Sequence, residues 1–366
     1  MKQYFFILFL FFYITNMYGE ESFIYKKKQS LIFDTNNSLD SDTTNKKSQN
    51  SITTNKQKLF GNLYTGFYYG LSENVKPRAA FELSTALLGY SNRISEKVKA
   101  TIIFDVTRTT NNIQVNDTSG NNLDVSFFEG SKYTAFLKMA EINYEINEFL
   151  DFSVGQLLNT QYLTFQDKFW GYRYIYVTFQ EAYRYGMPAD FGAQLNIKYK
   201  NIYKNSFSIV NGEGPFYYQD ENSKFLISNN VEIHAKNGVI LKFYTDYAPP
   251  SDTASELKSK SVISLFAGYK TDNFRIGAEY NHVYNYNFII GNDYYGTSVY
   301  GSYKLDNTEI LARYDYINKS TFITEGHYII AGCQFNPADK FYISINFRNL
   351  LPDNKTQLYF NFGIKF

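Results

Sequence analysis

The chemistry available to this chain is carried by charge. One aromatic-rich run, residues 158–187, holds Trp170, Arg173, Glu181 and Arg184 together. Farther along, Lys198, Lys242, Arg275, Glu279, Arg313, Asp315 and Arg348 each fall on the polar side of a stretch that alternates oily and polar residues. Ionised groups of both signs in such a pattern do not make or break bonds. Set around an enclosed column of water, they create a transverse field that orders the water and favours small polar solutes over apolar ones, whereas rings of one sign would select ions. Bond-making arrangements are absent. His234, His282 and His327 lie far apart in sequence with no Asp/His or Ser/His spacing beside them, Cys333 is the single cysteine, and no Cys/His metal-ligand spacing occurs. No cofactor, metal or enzymatic activity is expected.

Charges like these need a wall to hold them. Phe191, Ala193, Leu195, Ile197 and Tyr199 alternate with Asp190, Gln194, Asn196, Lys198 and Lys200. Phe274, Ile276, Ala278 and Tyr280 alternate with Arg275, Glu279 and Asn281, and Ile310, Ala312, Tyr314 and Tyr316 with Arg313 and Asp315. Period two is the signature of a strand with two unlike faces. A soluble sandwich would turn the charges outward and bury the oily set; a membrane barrel inverts this, with charges lining a wet interior. The C-terminal residues separate the two. Leu358, Phe360, Phe362, Ile364 and Phe366 keep the alternation to the last residue, which suits a closing strand whose outer face meets lipid. Phe362, Ile364 and Phe366 are the expected signal to the barrel-assembly machinery.

Composition agrees. With 35 Tyr and 34 Phe, aromatic residues make up 19% of the chain while its mean hydropathy stays polar. Lipid-facing and lumen-facing residues cancel in such an average, and rings collect at the membrane interfaces. A net charge of +1 gives no bulk attraction to nucleic acid. Residues 1–19 have one early cation, Lys2, and an apolar run from Tyr4 to Ile14, the shape of a signal peptide. The alternative, an uncleaved anchor, would need roughly 20 apolar residues. Residues 20–58 are rich in Ser, Thr, Asn and Lys and read as a disordered periplasmic leader, or else as a plug.

Residues 59–366 then read as an all-β, transmembrane antiparallel barrel of about sixteen strands, most near the length of about 9–11 residues that a tilted spanning strand needs. Short turns such as Asn237–Gly238, Thr271–Asp272 and Asp306–Asn307 alternate with longer loops. Short periplasmic turns and long extracellular loops follow if the N-terminus is periplasmic. The segment 158–187 breaks period two. It is expected to fold inward as a constriction, the alternatives being an extracellular strand extension or a lid over the mouth.

Here the chain resembles a known family. The order of Val154–Gln156 at a strand end, Phe169–Tyr174 (FWGYRY), Thr178–Tyr183 (TFQEAY) and Pro188–Leu195 (PADFGAQL) resembles Gram-negative outer-membrane porins of the phosphate-selective and general-porin superfamily. That resemblance implies a bacterial outer-membrane location, a barrel of about sixteen strands, a third loop narrowing the pore and a homotrimer, with outer-membrane lipid and small hydrophilic solutes as partners. This chain interleaves acidic with basic residues, where phosphate-selective members carry a dense arginine–lysine ladder. Trp170, Arg173, Glu181 and Arg184 become the expected constriction. Lys198, Lys242, Arg275, Glu279, Arg313, Asp315 and Arg348 become the expected pore lining. A porin passing small hydrophilic solutes or ions with weak charge selectivity is expected; the alternative is a non-conducting barrel acting as an adhesin or structural surface protein.

Overall fold

The computed structural model describes residues 57–366 apart from 109–114, 117–121, 124–132, 164, 216–217, 220–221, 236, 251–256 and 319–324. The expected signal peptide and all but the last two residues of the expected leader lie outside the described residues. Gln57 and Lys58 already belong to the first strand, where they pair with Asn92 and Ser91.

The strands are β1 (Gln57–Gly70), β2 (Ala79–Arg93), β3 (Val98–Arg108), β4 (Val115–Asn116), β5 (Asn122–Leu123), β6 (Tyr133–Asn147), β7 (Leu150–Leu158), β8 (Ala189–Tyr199), β9 (Tyr203–Val210), β10 (Leu226–His234), β11 (Val239–Ala248), β12 (Lys260–Lys270), β13 (Phe274–Tyr284), β14 (Tyr294–Leu305), β15 (Thr308–Ile317), β16 (Gly326–Ala338), β17 (Phe341–Leu351) and β18 (Lys355–Lys365). β4 and β5 pair only with each other, in the loop between β3 and β6. The other strands form one closed antiparallel barrel in which each pairs with its neighbours in sequence and β1 pairs with β18. The last pairing runs from Asn62↔Lys365 to Gly70↔Gln357. Closure leaves no raw sheet edge, the condition for burying backbone polar groups in hydrocarbon.

Alternation decides which way each side chain points. Leu241, Phe243, Leu265, Ile276, Val299 and Ile310 project outward and are exposed, while their neighbours Lys242, Phe266, Glu279 and Leu311 are buried inside. Phe362, Ile364 and Phe366 lie on the outer, exposed face of the closing strand. The turn Asn237–Gly238 joins β10 to β11 with Gly238 at φ +87°. A Cβ there would stand 2.2 Å from the Lys270 carbonyl oxygen, so this tight turn requires glycine.

Candidate functional site

The segment between β7 and β8 leaves the wall through a closed neck. The Asn159 backbone N–H donates to the Pro188 carbonyl at 3.0 Å, and its side-chain amide donates to the Met187 carbonyl at 2.9 Å. Inside the loop are two short helices, Phe165–Trp170 and Phe179–Ala182. Neither is long enough to persist alone. Arg173 ties them together, donating to Asp167 at 2.8 Å and to Glu181 at 2.6 and 2.8 Å. Burial works against the Arg173 charge, yet Asp167 and Glu181 hold the guanidinium above its ordinary range. Arg184 is exposed and stands at φ +58°.

The rest of the loop is held by rings packed on the inner wall. Trp170 is only 1% exposed and packs with Phe165, Phe169, Tyr172 and Tyr174 against Phe266, Tyr300, Leu311 and Ile330. Its indole N–H donates to the Tyr176 carbonyl at 2.7 Å. Phe179 and Tyr185 pack against Tyr244, Val262, Val283 and Tyr294. Each ring taken from water this way contributes about 1.5–3 kcal/mol. Holes in the wall receive them. Gly268 and Gly277 face each other across β12 and β13, and a Cβ on either would come within 2.6 to 2.9 Å of the Phe169 ring. Gly296 accommodates Phe179 and Gly363 accommodates Tyr174 in the same way.

The wall charges complete the attachment. Arg275 donates to the carbonyls of Phe169 and Trp170 at 2.7 and 2.9 Å. Gly171, at φ +77°, leaves it room, since a Cβ there would lie 2.4 Å from the guanidinium. Arg313 donates to the Val177 carbonyl at 2.6 Å, forks onto Asp315 at 2.8 and 2.7 Å, and lies 5.0 Å from the Trp170 ring centre. Arg348 donates to the Ile175 carbonyl at 2.6 Å and stacks 3.5 Å from the Tyr359 ring centre. Lys242 reaches Gln166 at 3.4 Å, and Glu279 accepts from Gln180 and Asn281. The expectation that Lys242, Arg275, Glu279, Arg313, Asp315 and Arg348 line open water therefore needs correction. All six point inward, and the loop covers them. Lys242, Glu279, Arg313, Asp315 and Arg348 are buried, and Arg275 is 13% exposed in its side chain. Alternation fixes direction only; what lies over a side chain depends on a segment distant in sequence.

Lys198 is different. Its side chain is 41% exposed inside the barrel while it pairs with the buried Asp151. It belongs to the part of the wall opposite the loop. There Asn143, Ser153, Gln194, Asn196, Ser206 and Ser208 form a hydrogen-bonded carpet of amides and hydroxyls. Lys168 projects from the loop, exposed. Crowding by the surrounding protein, then Lys204 and Lys99, pushes its ammonium pKa down, while Glu232 and Asp167 oppose that shift.

A closed antiparallel barrel with one long loop turned onto its inner wall is the observation that decides the comparison. The fold matches that of solved porins. Over 85% of this chain and 98% of that one, OmpF of Salmonella typhi, solved with daunomycin, superposes at a TM-score of 0.63 with 12% identity. OmpT of Vibrio cholerae, an outer-membrane protein in trimer form, covers 85% of this chain and 99% of its own at 0.56 and 12%. A porin refined at 1.8 Å resolution covers 85% and 100% at 0.55 and 11%. No family model and no curated protein sequence matches. Among the described residues, no group of His, Cys, Asp and Glu could hold a metal ion.

The glycine holes of this porin-like barrel were open to sequence reasoning, because Gly268, Gly277, Gly296 and Gly363 interrupt the inner faces of otherwise well-formed strands. They make a direct prediction. Gly277→Val drives the Phe169 ring from its place at an overpacking cost of about 1–3 kcal/mol. Trp170 is the only tryptophan, so its emission should shift to the red and acrylamide quenching should rise. An unchanged spectrum would show that Phe169 does not depend on the hole.

Proposed function

We propose that this chain is a passive diffusion channel of the bacterial outer membrane, passing small hydrophilic solutes or ions with weak charge selectivity. One observation carries the reading. The loop is fixed to one side of the interior, and two exposed cations, Lys198 on the wall opposite and Lys168 on the loop itself, face the space that is left between them. Solute passes between the braced loop face, formed by Asp167, Arg173 and Glu181, and the carpet. The phosphate-selective subtype is not part of the proposal, since the inner basic groups are interleaved with carboxylates. His234 contacts Glu232 and Phe165, and His282 and His327 bond to the outward Tyr280 and Tyr314 hydroxyls, which supports a channel without catalysis.

Stepwise single-channel conductance in a planar bilayer is the test; no steps at high protein load would favour the non-conducting surface barrel. Arg173→Glu should shift the reversal potential under a salt gradient more than Arg348→Glu, because Arg173 borders the passage while Arg348 lies under the loop. Equal or reversed shifts would remove Arg173 from the constriction. We also propose a homotrimer, on the strength of a structural neighbour solved in that form; light scattering in detergent decides it.

A further inference from the structure

The outer face of the barrel carries two hollows that the passage of solute does not use. One lies over β10 to β14. Its floor is Ala267 paired with Ala278, and Leu241, Leu265, Tyr280 and Val299 stand around it. The other lies over β13 to β15, floored by Gly301 paired with Ala312 and walled by Ile276, Ile310 and Tyr314. Their volumes are about 720 and 540 Å³, and Val299 is the ridge between them. Each hollow is bounded on its long-loop side by a tyrosine that holds a histidine. The Tyr280 hydroxyl lies 3.3 Å from the His282 Nδ1, and the Tyr314 hydroxyl 2.7 Å from the His327 Nδ1. A phenol is the better donor and an imidazole nitrogen the better acceptor, so each hydroxyl donates and each ring keeps its proton on Nε2. Tyr284 stacks on His282 with 4.0 Å between ring centres, and Tyr316 packs on His327 at 5.2 Å, which holds both rings in place. Among the described residues neither Nε2 has a hydrogen-bond partner.

We propose that each hollow seats one acyl chain of an ester-linked membrane lipid, with the histidine Nε2–H donating to the ester carbonyl at the root of that chain. Three observations select this occupant. The hollows face hydrocarbon, and the donors stand at their long-loop end, toward the level where acyl chains give way to polar groups. The acceptor must be uncharged, because Glu325, bonded to the Tyr316 hydroxyl, and Asp293, bonded to the Asn285 backbone N–H, stand at the same end and would repel a phosphate. A second barrel would bring no free carbonyl, because a closed wall spends its backbone on its own ladder. His282 and His327 lie three strands apart, about 15 Å across the sheet. That is too far for the two esters of one glycerol, so the hollows take two lipids.

The test counts lipids on the full chain in detergent by native mass spectrometry. The probes are dimyristoyl phosphatidylcholine, whose chains are ester-linked, and its dialkyl ether analogue, which lacks the carbonyls. The parent should retain two ester lipids and hold the ether analogue about threefold to tenfold more weakly at each site, the worth of one hydrogen bond. Ala278→Phe and Ala312→Phe each fill one hollow from outside, and each should leave one lipid while heat-modifiable mobility is kept. His282→Phe combined with His327→Phe keeps the rings but removes the donors, and should hold ester and ether lipids alike. Equal retention of the two lipids by the parent overturns the inference. So does an ester preference that survives in the histidine variant, or a filled hollow that still leaves two lipids bound. An oligomer that falls apart when a hollow is filled also overturns it, because a second copy would then be the occupant. None of these results turns on conductance, so the channel reading stands or falls on its own test.

Discussion

Excision of Thr160–Met187, with Asn159 joined to Pro188 through two glycines, should raise single-channel conductance about threefold or more, because a barrel of this strand number otherwise leaves an open channel. The neck makes the experiment feasible. Asn159 and Pro188 already meet through a 3.0 Å hydrogen bond, so the cut ends need no rearrangement. β7 and β8 remain paired from Leu150↔Ile197 to Leu158↔Ala189 without the loop. The barrel should therefore persist in electrophoresis as a heat-modifiable band, unfolding at lower temperature than the parent. The loss arises from Phe266, Leu311, Ile330 and Ile240, which the loop now shields and which would face water at about 1.5–3 kcal/mol each. Unchanged conductance would mean that this loop does not limit flow.

Arg313→Leu should have the largest effect of any single wall substitution. Asp315 is 0% exposed, and Arg313 is the only cation in a salt bridge with it among the described residues. Removing one partner of a buried pair costs about 3–5 kcal/mol, because the other charge stays buried and uncompensated. The same change frees the Val177 carbonyl and takes the guanidinium away from Trp170. Three readouts should move together: a lower unfolding temperature, red-shifted Trp170 emission, and higher, noisier conductance. Arg313→Leu with Asp315→Asn should recover most of the stability, since the orphan charge is gone and Ser298 still donates to the side chain at position 315. It should not recover the conductance, since Val177 remains unheld. Full recovery of both would reduce Arg313 to a counter-ion for Asp315 and nothing more.

The barrel was legible because its code is local. Phe191 to Tyr199, or Ile310 to Tyr316, states its strand in a handful of residues, and Asn237–Gly238 states its turn. The strands that appear keep to those stretches. The interior was legible only in part. Arg275, Arg313 and Arg348 point inward by parity, as their neighbours dictate. Parity carries no information about the chain seated above them, because that contact joins residues more than a hundred positions apart. An inward arginine that orders water and one that grips a carbonyl read alike in a single strand. The difference lies in Gly171, Trp170 and Tyr176, whose spacing has no simple period. The glycines beneath Phe169 were the one readable sign, since an empty position on an inner face needs something to fill it.

Those empty positions make the loop and the wall a matched pair. Engineers often exchange loops between related scaffolds to transplant a property. Here the segment would arrive at a foreign barrel with Phe169, Phe179 and Tyr174 aimed at ordinary side chains and with its carbonyls unclaimed. A graft of this loop should succeed only when Gly268, Gly277, Gly296 and Gly363 travel with it, together with the arginines that hold its backbone.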